Sequence, residues 1–454
     1  KTTHSQQALD FELAQAGASY RAILSESGAM PRVHRVRLQR KLATIHDAQG
    51  DPLQCLATLK TAWTELGLEN LDHLKGTWKL TTLLKALTVR DLRLSSASKL
   101  SKLTNEEAVE VGALAIQLQR VLFFLRPRSW VRQGVEVALV QRLVSRLLKH
   151  DGDGLMASAQ ADFNGGYLCL RLPRGWQVQA LRLLSRAAEK VLRAEDSFPR
   201  LELMRDCGHL FHLAGRSEKG LELLVLATEE AERLGHLTAL PLTYGMKTSL
   251  LKSMGRFEAA EEAGWKGYHL AQALENQRDL VLNACNLAQT LVLRGKLDEA
   301  TAFMKFLKGE QLSTLPYLQL VQTRLDIEMQ LAQKTIEGGQ RAVELCDKGL
   351  QLCRETDELR YHRNYFRVRR VQGLLHANEH LSLDKELWTA LERRLRSFPY
   401  LRFDLKLLKL RWTAEMGDTA SVSVAAEKLL QRDECSDFHR QKILSLVETV
   451  TASS

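Results

Sequence analysis

The sequence predicts an all-α protein, a right-handed α-solenoid of antiparallel helix pairs, and three observations carry that prediction. Glycine recurs at a spacing of forty, at Gly175, Gly215, Gly255 and Gly295. Small and apolar residues recur in fixed register with each of these glycines. Only eight prolines interrupt 454 residues rich in Leu, Ala, Glu, Arg and Lys, residue types that favour helices.

Each glycine reads as the turn between the two helices of a pair. Five positions after it stands a small residue (Ala180, Gly220, Ala260, Ala300), where the helices cross too closely for a larger side chain. Four further on come Leu184, Leu224, Gly264 and Met304, and three beyond those Ala187, Ala227, Gly267 and Leu307. These spacings define one face of a helix. Before the turn, Gly208, Thr248 and Ala288, with Phe211, Leu251 and Leu291, form the matching face of the preceding helix.

Less regular copies flank this block. Gly50 leads Cys55, Leu59 and Ala62, and Gly417 leads Val422, Ala426 and Leu429. Between Gly295 and Gly417 two degenerate units are expected, one turning near Glu337 to Gly339 and one near His380. The chain divides into N-terminal helical repeats (1–70), an irregular helical segment (71–154) with a polar loop at 91–104, regular repeats (155–310), divergent repeats (311–435), and a capping helix with a tail (436–454). Stacking roughly ten or eleven pairs predicts an elongated, curved particle in which distant residues never meet.

These residues resemble the tetratricopeptide repeat, with small residues at the crossing and a glycine at the turn. The resemblance covers most of 33–431 and is strongest over 155–310. The period is longer than the familiar one, and the aromatics and terminal proline of that pattern are mostly missing. Long repeats of this kind resemble the C-terminal regions of large bacterial signalling proteins. There a kinase or transcription-factor head is followed by a signal-transduction ATPase and a helical array. The resemblance implies an attached effector, and the chain reads as a piece of something longer.

No catalytic signature is found. There is no phosphate-binding G-x-x-x-x-G-K-[ST] loop, no G-x-S-x-G elbow and no H-E-x-x-H, so the segment is expected not to be an enzyme. HDGDGLMASAQAD opens like a calcium loop at Asp151 and Asp153 but has Leu155 at the fifth position and no glutamate at the twelfth, and reads as a helix-breaking loop. His376 and His380, like His209 and His212, share a helix face without an evident third metal ligand. Neither cofactor nor metal is expected. Seven scattered cysteines without a C-x-x-C pair read as reduced core residues. No apolar run reaches the ~18 residues of a membrane span, and the chain reads as soluble and cytoplasmic, with no membrane partner.

The remaining question is what the array binds. In stacked helix pairs the first helices line the concave wall. Counting back thirteen, ten, six and three residues from each turn predicts the side chains facing the groove. Gly215 gives Glu202, Arg205, His209 and His212; Gly255 gives Leu242, Gly245, Ser249 and Lys252; Gly295 gives Leu282, Cys285, Gln289 and Val292. The degenerate units give Arg324 and Lys334, then Arg367 and Arg370, and Gly50 gives Arg37 and Arg40. In LRYHRNYFRVRRVQG, Arg360, Arg363, Arg367 and Arg370 form one helical stripe. The stripe fits a solvated face neutralised by neighbouring acids, a docking strip for an acidic peptide or protein segment, or an RNA or nucleotide site with Tyr361, Tyr365 and Phe366 as stacking surfaces. The formal charge of +10 permits an acidic partner without specifying one. The sequence thus predicts a protein-interaction scaffold or sensor arm, with nucleic-acid binding or a small-ligand or peptide receptor controlling an attached effector as alternatives. The candidate partner-binding residues are Arg205, His209, His212, Lys252, Arg324, Arg360, Arg363, Arg367 and Arg370.

Overall fold

The computed structural model describes residues 2–26, 30–49, 51–68, 102–125, 152–171, 176–309, 315–355, 360–379, 382–432, 437–453 and a few isolated positions at 133–148 and 435. Gly50, Gly175, His380, Asp151 and most of 71–151 lie outside the described residues, and with them those parts of the sequence reading. Among the described residues every regular element is helical, and none of the helices is long and apolar enough to cross a membrane.

The helices in chain order are α1 (Thr2–Ser25), α2 (Arg32–Ala48), α3 (Pro52–Glu65), α4 (Asn105–Leu125), α5 (Gly152–Arg171), α6 (Gln177–Arg193), α7 (Phe198–Leu213), α8 (Ser217–Arg233), α9 (Leu240–Ser253) and α10 (Phe257–Ala273). They continue as α11 (Gln277–Leu293), α12 (Leu297–Gly309), α13 (Pro316–Ala332), α14 (Ile336–Glu355), α15 (Arg360–His376), α16 (Lys385–Arg394), α17 (Pro399–Glu415), α18 (Thr419–Leu430) and α19 (Asp437–Ser453). The few prolines are spent at helix starts: Pro52, Pro199, Pro241, Pro316 and Pro399 each sit in a first turn, where the missing N–H costs no hydrogen bond. Side chains of Asp51, Ser197, Asn276, Asp384 and Asp418 accept from free N–H groups at the starts of α3, α7, α11, α16 and α18. The expected helix-breaking loop at HDGDG is instead the start of α5, at Gly152.

The turns repeat down to their hydrogen bonds. Gly215, Gly255 and Gly295 have φ of 83°, 73° and 78°, the left-handed conformation in which glycine carries no Cβ penalty. After each, the next residue donates back to the carbonyl five positions earlier: Arg216 to Phe211, Arg256 to Leu251 and Lys296 to Leu291. The divergent repeats keep this geometry without glycine. Lys334 (φ 53°) and Asn378 (φ 57°) take the left-handed position, and Glu379 donates to Leu374. The two degenerate turns therefore fall at Lys334 and Asn378, not at Glu337–Gly339 and His380. Gly339, five after Lys334, is a crossing residue: a Cβ there would meet the backbone carbonyl of Gly373 at 2.7 Å and the Ala377 nitrogen at 2.6 Å.

The expected crossing residues Ala180, Ala260 and Ala300 are fully buried, and Gly220 packs against Gly208. Consecutive first helices α9, α11 and α13 also pack on one another, forming the inner layer of the array. The helix pairs thus make a tetratricopeptide-like α-solenoid with a repeat near forty residues.

The array is not open, however. The superhelix coils until distant repeats touch, which overturns the expectation that they never meet. Asp47 of α2 accepts from Arg278 of α11 at 2.6 Å and from Arg120 of α4 at 3.2 Å, while Arg120 also reaches Glu202 of α7 at 2.5 Å. Ser397 donates to Gln177, and Tyr400 to Glu218. Helix α19 is more than a terminal cap, because its Phe438 packs edge-on against Phe257 of α10 at 4.6 Å. Burial disfavours the charges of Asp47 and Arg120, but their neighbours outweigh it. Asp47 stays below its usual pKa through Arg278 and Arg120, and Arg120 is held protonated by Glu202 and Asp47.

Candidate binding basin inside the superhelix

Closure turns the concave wall into an interior. Counted back from the turns the structure shows, the thirteen-ten-six-three rule selects Lys252, Gln289, Arg324, Glu328, Tyr365, Gln372, Asp404 and Arg411, all of which line one continuous basin. Two adjoining cavities with about 820 and 2000 Å³ of space, open to solvent, form it between α9, α11, α13, α15, α17 and α19. They share Leu293, Glu328, Gln372, Leu407, Leu408, Phe438 and Lys442.

Its polar floor is a linked set. Tyr365 donates its hydroxyl to Glu328 at 2.5 Å, and Arg369 donates to the same carboxylate oxygen at 2.8 Å. Arg369 also reaches Asp404 at 3.3 Å, whose other oxygen lies 3.2 Å from His439 Nε2. The Arg324 guanidinium lies 4.4 Å from the Tyr365 ring centre, a cation–π geometry, and its Nε makes no hydrogen bond. Lys252 donates to Gln289 and, at 3.3 Å, to Asn286.

Positive charge is in excess. Lys252, Arg324, Lys334, Arg369, Arg411 and Lys442 line the two cavities beside two carboxylates, Glu328 and Asp404, and of the six Arg411 has a further carboxylate partner outside the lining, Glu415 at 2.6 Å. The crowding registers in the titrations. Burial, then the Arg324 charge, pushes the Lys252 ammonium well below its ordinary pKa. Lys442 is solvent-accessible, yet protein surrounds it on the concave side, so desolvation and then Arg369 lower it as well. Desolvation followed by Arg411, Lys334 and Lys442 lowers His376 on the rim to about 4.

The sequence-predicted residues separate into distinct settings. Lys252 and Arg324 line the basin. His209 lines a second, smaller cavity. Arg205 is buried and paired with Asp206 at 2.7 Å. His212 is buried, with Nδ1 3.1 Å from Ser217 Oγ and its ring edge-on to Tyr361, and burial holds it neutral. Arg37 and Arg40 pair with Glu110 of α4 at 2.6 and 2.8 Å.

The arginine stripe does not reach the basin. Its α15 wall is Tyr361, Tyr365, Arg369, Gln372 and His376, whereas Arg370 pairs with Asp347 of α14 at 3.0 Å, Arg367 donates to Asn364, and Arg360 lies beside Phe398 and Cys169 at another crevice. Arg363 and Arg367 are half-buried. Placing the turn at His380 instead of Asn378 shifts the register by two residues, or about 200° around a helix, which exchanges the inner face for the opposite one. Tyr365 and Arg369 were missed for that reason; Glu328 was missed because the preceding turn falls at Lys334 rather than near Glu337; Asp404 is thirteen before the Gly417 turn, from which no inward count was made; and His439 and Lys442 lie on α19, which reaches the basin only through tertiary packing. Asn378 in HANEH was the available signal, since asparagine is the residue after glycine that tolerates a left-handed helix end.

Fold and basin together define a class: a tetratricopeptide-like α-solenoid wound closed around a basic interior. No family model matches the sequence, and no curated protein matches it. Among solved structures the chain is similar to a Rap protein complexed with Competence and Sporulation Factor, at 11% identity and a TM-score of 0.49 over 93% of this chain and 100% of that one. It is also similar to the apo form of RapI (10%, 0.43, 90% and 99%) and to yeast Tom70 (11%, 0.30, 97% and 86%). At these values the functional reading rests on the chain's own residues.

Proposed function

We propose that the chain is a protein-interaction module, a scaffold or sensor arm, that holds an acidic segment of a partner in the basic basin and passes its occupancy to an attached effector. The observation that carries this reading is an excess of Lys and Arg over carboxylates in one solvent-open interior: Lys252, Arg324, Lys334, Arg369 and Lys442 against Glu328 and Asp404, with Arg411 on the rim paired to Glu415. An anionic guest offsets the burial and, after it, the neighbouring guanidinium charge that hold Lys252 and Lys442 low, and gives Arg324 Nε a partner. Guanidinium forks suit carboxylates. A nucleic-acid reading is disfavoured because the basin tyrosines are not free to stack: Tyr361 and Tyr365 are buried, and Tyr365 carries Arg324 against its ring.

The test is capture of a fluorescein-labelled oligoglutamate peptide, followed by anisotropy, with oligolysine and a single-stranded oligonucleotide as comparators. Lys442→Glu with Arg411→Glu, on the accessible rim, is expected to abolish oligoglutamate binding while helicity is retained. Arg363→Glu with Arg367→Glu is expected to leave it intact. Equal binding by the rim variant, or binding of the oligonucleotide alone, would overturn the reading.

A further inference from the structure

The two halves of the basin differ in room and in lining. In the half between α11, α13, α15, α17 and α19 about 910 Å³ is wide enough for the centre of a water molecule, against about 110 Å³ in the half that holds Lys252. The larger figure lies toward the top of the ~300–1,000 Å³ usual for ligand sites, so the bulk of a guest belongs there. Its lining is not uniformly basic. Leu293, Leu297, Leu407, Phe438 and Leu446 line it and none is fully buried; Leu297 is 39% exposed.

Cations and apolar side chains alternate along its walls. On α19 Phe438, Lys442 and Leu446 follow at intervals of four, and on α17 Leu407 and Arg411 do the same, an interval that stacks side chains on one helix face about 6 Å apart. The Lys442 ammonium lies 4.1 Å from the centre of the Phe438 ring. Anionic partners are short on these walls. Glu328, the one carboxylate in this lining, is held by Tyr365 and Arg369, and Arg411 is paired with Glu415, whereas Lys334 and Lys442 form no ion pair with any described residue. His376 lines the same half, is 9% exposed, and keeps Nδ1 without a hydrogen-bond partner, a costly state for a buried polar atom. In the tautomer that carries its proton on Nδ1, a carboxylate supplies the missing acceptor.

Acidity alone would leave the apolar carbon between these cations unmatched, and burying that carbon is the larger favourable term in most association. A guest that alternates as the walls do covers both. We infer that this half of the basin recognises acidic segments in which large aliphatic side chains stand beside the carboxylates, leucine being the simplest such side chain. The inference rests on the acidic-segment reading of the same basin and adds what the guest carries besides charge.

The probes are two fluorescein-labelled peptides of equal length and charge, one of repeated Glu-Glu-Leu and one of repeated Glu-Glu-Ser, followed by anisotropy. The leucine peptide is expected to bind at least about tenfold more tightly, the worth of seating one leucine side chain. Leu297→Ser is expected to reduce that preference about threefold or more while leaving the serine peptide's affinity unchanged. Leu444→Ser is the control, since Leu444 is 46% exposed and outside the basin lining, and is expected to leave the preference intact; circular dichroism confirms that each variant is folded. Equal binding of the two peptides overturns the inference and leaves the acidic-segment reading standing. A preference untouched by Leu297→Ser, or lost equally with Leu444→Ser, places the leucines elsewhere and overturns it too. Binding of neither peptide removes the inference and the reading together.

Discussion

The tightest quantitative consequence of the repeat lies at Gly220, where α7 and α8 cross. A Cβ placed on Gly220 would stand 2.6 Å from the backbone carbonyl oxygen of Gly208, and one on Gly208 would stand 2.8 Å from that of Gly220. Neither obstacle is the end of a flexible side chain. Gly220→Ala must therefore part the two helices by roughly 0.8 Å to restore contact near 3.4 Å, and a gap of 0.5–1 Å forfeits a quarter to a half of each dispersion well of about 0.1–0.2 kcal/mol. Over roughly forty atom pairs along the seam this amounts to about 2 kcal/mol, of which ~1 kcal/mol is returned by the better helix propensity of alanine. The net expectation is a destabilisation of about 1 kcal/mol.

Gly112→Ala supplies the matched control. Its Cβ would meet nothing nearer than Val144 Cγ1 at 3.6 Å, so the propensity gain stands alone and the variant is expected to be more stable by about 0.5–1 kcal/mol. Urea titrations followed by far-ultraviolet circular dichroism should order the midpoints Gly112→Ala, parent, Gly220→Ala. A Gly220→Ala midpoint at or above the parent would refute the close crossing and with it the register of the repeat.

Two further outcomes follow from the closure and from the basin. Asp47→Asn removes the carboxylate shared by Arg120 and Arg278, each of which keeps one other partner (Glu202 and Asp279); it is expected to cost about 3 kcal/mol, the low end for breaking a buried pair, and to enlarge the radius of gyration in X-ray scattering. An unchanged radius would mean that other contacts close the superhelix. His376 has a folded pKa of about 4 against roughly 6.5 in the unfolded chain, so the unfolded state binds the proton first and stability falls as pH drops from about 6.5 to 4. His376→Gln is expected to flatten that limb of a urea-midpoint profile, and oligoglutamate in the basin is expected to raise the His376 pKa in an NMR titration; an identical acid limb in the variant would remove His376 from the account.

How much of this was legible beforehand depended on how local the cause was. The forty-residue period, the left-handed turns at Gly215, Gly255 and Gly295, and the small crossing residues follow from sterics that act within one helix pair, and the sequence carried them openly. The phase of the divergent repeats was harder to read because Lys334 and Asn378 fill a glycine's conformation with a side chain, so the expected marker was missing. That displacement turned the reading of α15 onto its arginine stripe and away from Tyr365 and Arg369.

What the sequence determined by itself was the unit: two helices, their turn, their crossing and the side that faces inward when the turn is placed correctly. What only the tertiary structure decided was the sum of the units. Small rotations between successive pairs accumulate along a solenoid, and no single repeat records whether the total leaves a groove or closes one. Here it brings Asp47 to Arg278 and Phe438 to Phe257, lines one basin around Glu328 and Asp404 with Lys and Arg side chains from five helices and a turn, and buries Arg205 and His212, which a groove would have left in solvent.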